Sequence, residues 1–97
     1  VRQSIKKQLL EEVKEKLRIT WPEEDVHVWR LVEAAIADLS QRTGRELDFS
    51  RPGPAKTLML EHVFYNYNNA LHEFLSAYSG ELMALALKAA MEEFSRD

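Results

Sequence analysis

Apolar residues recur at helical spacing along most of the chain. The longest such stretch runs from Pro54 to Tyr78, and no Gly or Pro follows Pro54 until Gly80. At about 100° per residue, Leu60, Val63, Phe64, Tyr67, Leu71, Phe74, Leu75 and Tyr78 fall on one face. This is the i, i+3, i+4, i+7 pattern of a helix packed along one side. A single helix of this length spans roughly 35 Å, enough to be the axis of a small domain. The opposite face carries Leu58, Glu61, His62, Tyr65, Asn66, Asn68, Asn69, His72, Glu73 and Ser76. Leu58 and Tyr65 are large side chains set among polar ones.

Shorter helical patterns flank this axis. Ser4 to Arg18 predicts a first helix with a narrow stripe of Ile5, Leu9, Leu10, Val13 and Leu17. Its charged remainder reads as solvated surface, with Glu12 and Lys16 as a favourable i, i+4 pair. So thin a stripe fits a helix docked at the domain's edge or extended towards a neighbour. Thr20 with Glu23 fits a capping box, and Pro22 suits a first helical turn. The acidic run Glu23-Glu24-Asp25 complements the helix dipole; consecutive acids on a helix point in different directions and make a poor metal site. The second helix extends to about Arg42, with Val28, Trp29, Leu31, Val32, Ala35, Ile36 and Leu39 on one face and Gly44 as the left-handed residue that ends it. Arg45 to Gly53 predicts a loop pinned by Leu47 and Phe49. Ser50 or Arg51 before Pro52 marks the start of the long helix.

After a turn at Ser79-Gly80, the last helix runs from Glu81 to about Phe94 and has two apolar faces. One holds Met83, Leu87, Ala90, Met91 and Phe94; the other holds Leu82, Leu85, Ala86 and Ala89. A helix apolar over more than half its circumference is buried on two sides, within its own bundle or against a partner. The expected fold is therefore all-α. It is one domain, a small bundle of four main helices around a long central helix at about 54–78, with the first helix at the periphery.

Composition narrows the function classes. The chain has 97 residues, 45% of them hydrophobic, which suits one small globular domain. It has no cysteine, which excludes disulfides and thiolate chemistry. No apolar run reaches the length of a membrane span. Val1 to Leu10 lacks the apolar core of a signal peptide, so the expected location is the cytoplasm or an assembly built there. The net charge is −3, and only Lys6-Lys7 and Arg42 to Arg51 are locally basic, which argues against tight non-specific DNA binding.

Candidate chemistry is sparse. His62 and His72 are separated by roughly 80° around the long helix, outside mutual ligand reach. His72-Glu73 begins like a zinc-protease motif, but Ser76 stands where the second His belongs. No phosphate-binding glycine loop and no nucleophile elbow exists. No catalytic, cofactor-binding or metal-binding residue is assigned. The least ordinary stretch is Tyr65-Asn66-Tyr67-Asn68-Asn69. Its three Asn cost about 1–2 kcal/mol of helix preference, so something should compensate. Amides and Tyr suit a subunit contact, since they bond without burying charge; the other reading is a core Tyr67 beside tolerated surface. Two candidate contact faces follow: Leu58, Tyr65, Asn68 and Asn69 on the long helix, and Leu82, Leu85, Ala86 and Ala89 on the last.

The order of these elements looks like that of a known family. A short amphipathic helix ends in Leu17-Arg18-Ile19-Thr20. An Ala-rich second helix closes in Leu39 and Thr43-Gly44, and Leu47-Asp48-Phe49 lies in the loop. Tyr67-Asn68-Asn69-Ala70-Leu71 and Phe74 follow in the long helix, and Leu82, Leu85 and Leu87 in the last. Over nearly the whole chain this resembles the small head–tail connector (head-completion or adaptor) proteins of long-tailed bacteriophages and their prophage relatives. The resemblance rests on packing and turn residues, not on a catalytic signature. It implies a helical subunit of a ring, usually twelve-fold, located in the virion beneath the portal. Such a ring extends the DNA channel and offers a platform to the next connector or tail protein. The genome passes through without specific binding, and neither cofactor nor membrane is involved. The rival readings are a small helical DNA-binding or regulatory module, a small hydrolase or metal-dependent enzyme, and a helical interaction domain that dimerises.

Overall fold

A computed structural model describes residues 3–44 and 47–95. Arg45 and Glu46 of the expected loop, and the side chain of Phe94, lie outside the described residues. The described chain forms five helices in the order α1 (Gln3–Leu17), α2 (Asp25–Thr43), α3 (Pro54–Tyr67), α4 (Leu71–Ala77) and α5 (Ser79–Ser95), with no strand among them. α3 touches each of the other four helices, whereas α1 touches only α2 and α3. The molecule is a slab of 46 × 31 × 18 Å. A slab this thin leaves outer helix faces uncovered, because each helix with side chains is about 10–12 Å across.

α1 buries Leu9 and Val13 completely and Ile5, Leu10 and Leu17 in part, following the narrow stripe. Its charged residues are not simply solvated. Glu12 and Lys16 do not pair with each other; Glu12 meets Lys56 at 2.5 Å and Lys16 meets Glu61 at 2.7 Å, both on α3. Lys14 donates to Asp25 of α2 at 2.6 Å. The helix ends in a Schellman motif. Arg18 is left-handed (φ 60°), its N–H reaches the Glu15 carbonyl, and the Ile19 N–H reaches the Lys14 carbonyl. Because a left-handed conformation burdens any side chain with a Cβ, Arg18→Gly is expected to stabilise the fold by up to about 1 kcal/mol. A rise in the urea midpoint at constant m-value checks this.

α2 buries Val28, Val32, Ala35 and Leu39 along one line, with Trp29, Leu31 and Ile36 beside it. Gly44 is left-handed (φ 75°) and its N–H closes on the Ser40 carbonyl. The expected capping box does not form. α2 starts at Asp25 with no side-chain cap, because Glu24 turns instead to the Trp21 indole N–H (2.7 Å) and the Tyr67 hydroxyl (2.9 Å). Phe49 is buried and Leu47 half-buried, so both pin the loop before α3. α3 begins at Pro54, the expected start of the long helix.

The single helix over 54–78 is in fact two. The break falls on the Asn run. Asn69 is left-handed (φ 57°), its N–H bonds the Asn66 carbonyl, and the Ala70 N–H bonds the Tyr65 carbonyl at 2.8 Å. This is a second Schellman motif, with Asn in the place that most often goes to Gly because Asn tolerates the left-handed region best among the other residues. The Asn side chains thus incur little of the helix penalty: the helix stops there. Separate helices need not share a face. α3 turns Leu58, Met59, His62 and Val63 inward, and Phe64 is exposed. α4 contributes Phe74, which is fully buried. The Ser79-Gly80 turn is also absent. Only Tyr78 separates α4 from α5, and the Leu82 N–H bonds its carbonyl.

Candidate interaction surfaces

The eight residues expected at subunit contacts do not share a surface. Leu58, Leu82, Leu85 and Ala89 belong to the subunit's own core and are not surface residues of the subunit. Ala86 is half-buried. Tyr65 is half-buried in an aromatic cluster, 6.0 Å from Phe74 and 6.2 Å from Tyr78 between ring centroids, while Phe74 and Tyr78 stack at 5.2 Å. Asn68 and Asn69 alone are exposed, at the corner between α3 and α4.

The two faces of α5 are exchanged relative to expectation. Leu82, Leu85 and Ala89 face inward, whereas Met83 is 71%, Leu87 55% and Met91 65% exposed. Sequence could not choose between two apolar faces of one helix, and the charges misdirect. Lys88 and Glu92 line an open cleft of about 390 Å³ against the 47–55 loop, so they border the buried side. The arc furthest from the core, from Gly80 through Ala84 and Leu87 to Met91, carries no charge.

A second exposed apolar surface lies between α1 and α2. Leu10, Val26 and Trp29 form the apolar part of a groove of about 490 Å³, with Lys6, Arg30 and Glu33 at its rim. Val26 is 67% exposed, and the Lys6 ammonium sits 5.1 Å from the Trp29 ring centroid.

Polar groups are spent on joining helices. His62 is buried, its Nε2 lies 3.0 Å from Asp38 Oδ2, and Phe74 meets its ring edge-on. Asp38 also accepts from Arg42 at 3.0 Å. The acidic run diverges: Glu23 is exposed, Glu24 accepts from Trp21 and Tyr67, and Asp25 accepts from Lys14. Those donors, Trp21 foremost, hold the Glu24 carboxyl below the usual carboxylate range, and Glu24 in turn holds the Tyr67 phenol above its ordinary value. His72 is exposed, and among the described residues no three His, Asp or Glu side chains come together as a metal-binding group. No described helix is long and apolar enough to cross a membrane.

Burial of Lys56 and His62 was missed by sequence reading. Neither has a local signal, since the partners, Glu12 and Asp38, lie on other helices. Comparison with protein-family models, with curated proteins and with solved structures finds no match.

Proposed function

We propose that the protein is a structural, non-catalytic subunit of a phage head–tail connector ring. In this reading the ring docks beneath the portal, prolongs the DNA channel and carries the next connector or tail protein. The α3–α4 axis, with α1, α2 and α5 around it, stands for the long helix of the family pattern. One observation carries the proposal beyond resemblance: the subunit has two different exposed apolar surfaces, the α5 arc and the α1–α2 groove. A cyclic ring needs two unlike surfaces on each subunit, because each subunit meets one neighbour on either side. The charges support a sliding rather than a gripping conduit. The subunit is net acidic, and within its locally basic segment Arg42 is paired with Asp38 and Arg51 with Asp48, which weakens any grip on phosphates there.

Native mass measured across a concentration series, with and without the purified portal protein of the same genome, tests this. A portal-bound ring is the expected result. A chain that ignores the portal at high concentration removes the reading, and strong salt-dependent DNA binding by that chain would put a regulatory module in its place.

A further inference from the structure

The exposed arc of α5 has a regular order of its own. Gly80, Ala84, Leu87 and Met91 follow one another at intervals of four, three and four, and all are exposed. That is the a/d spacing of a helix that meets another helix along a seam. The seam is about 16 Å long. Its small residues stand at one end and its large residues at the other. Met83 and Ala90 flank it on one side, Glu81 and Lys88 on the other, and all four are exposed. Neither Glu81 nor Lys88 has an ion-pair partner among the described residues.

We infer that α5 pairs antiparallel with α5 of a second copy of this chain, about a two-fold axis level with the Leu85–Ala86 peptide. This orientation sets small against large at each step: Gly80 meets the partner's Met91, and Ala84 meets the partner's Leu87. On one flank Met83 covers the partner's Ala90. On the other, Glu81 meets the partner's Lys88, and two-fold symmetry repeats every contact. Parallel pairing fails both criteria. It sets Gly80 on Gly80 and Met91 on Met91, so the helices cannot approach equally at both ends, and it brings no opposite charges together. The surface is therefore self-complementary in shape and in charge. The helix is already formed on the folded subunit, so association needs no coupled folding. Three turns of seam are small beside the area of a permanent dimer, and the complex is concentration-dependent.

The pairing does not rest on the connector reading. It covers one of the two surfaces assigned to the ring, so dimer and ring compete for α5.

The absence of cysteine makes the test direct. Gly80→Cys and Met91→Cys are prepared singly; a Cβ at Gly80 meets nothing within 4 Å. Under mild oxidation the mixture of the two variants is expected to give a disulfide-linked dimer, and each alone little. Two copies of position 80 lie about 16 Å apart in the antiparallel pair, and a disulfide needs Cα atoms within about 7 Å. Sedimentation equilibrium supplies the second measurement. Glu81→Lys or Lys88→Glu is expected to weaken the wild-type dimer about fivefold at low salt, and the double exchange to restore it. A monomer at every concentration overturns the pairing, as does linkage of either single variant as efficient as that of the mixture. Each of these results leaves portal binding to be judged separately.

Discussion

Phe74→Ala is expected to lower stability by about 3–5 kcal/mol, the range for truncating a buried aromatic. Phe74 has no exposed surface and is the only fully buried residue of α4. Tyr78 stacks on its ring, Tyr65 tilts against it, and His62 meets it edge-on at 5.2 Å. α4 has seven residues, too few to hold a helix without docking. The alanine variant therefore loses transfer energy, leaves a cavity between α3 and α5, and loosens α4 itself. Domains of this size have about 5–15 kcal/mol in total, so the variant forfeits a large fraction of it. A melting temperature lower by at least about 12 °C is the expected reading. An unchanged one would mean that α4 is not docked as described.

The second large effect is asymmetric. Lys56 and Glu12 form an ion pair in which the lysine side chain is 7% exposed and the glutamate 33%. Glu12→Ala leaves an ammonium under the surface with no counter-charge. The cost of breaking a buried pair is about 3–5 kcal/mol; access of water through the vacated side reduces it here to about 2–4 kcal/mol. Lys56→Met removes the charge and keeps an apolar stem in place. The stranded carboxylate can turn outward, so the expected cost is below about 1 kcal/mol. Urea unfolding of both single variants and of the double variant checks this. Equal losses from the two single variants would show that the pair is screened by water at both ends.

Much of α1 and α2 could be read from the chain, because each packs one face and its partners lie on that face alone. The Val28–Val32–Ala35–Leu39 line and the Gly44 cap are local patterns with local causes. α3 was harder. It contacts all four other helices, so Leu58, Met59, Leu60, Val63 and Phe64 spread around its circumference and the periodic signal blurs. The Asn run carried the missing information. On sequence its helix penalty fits either a subunit contact or tolerated surface, whereas the backbone resolves it by turning left-handed at Asn69. The faces of α5 were both visible, but which one points inward depends on α2, α3 and α4 together. That is a tertiary choice, and it moved the candidate surface from Leu82, Leu85 and Ala89 to Met83, Leu87 and Met91.

The attachment of α1 has a consequence for how the molecule comes apart. α1 places two side chains fully in the core, Leu9 and Val13, and its other cross-links to α2 and α3 include three ion pairs, Lys14–Asp25, Lys16–Glu61 and Glu12–Lys56. The first two are partly exposed, and mobile ions weaken such pairs as the Debye length falls below about 8 Å. The remaining helices meet mainly through apolar side chains, and the His62–Asp38 contact between α2 and α3 is largely buried, so salt affects them less. α1 is thus a hinged flap with an ionic catch: rising ionic strength loosens it first, and its amides lose protection from hydrogen exchange while those of α2 keep theirs.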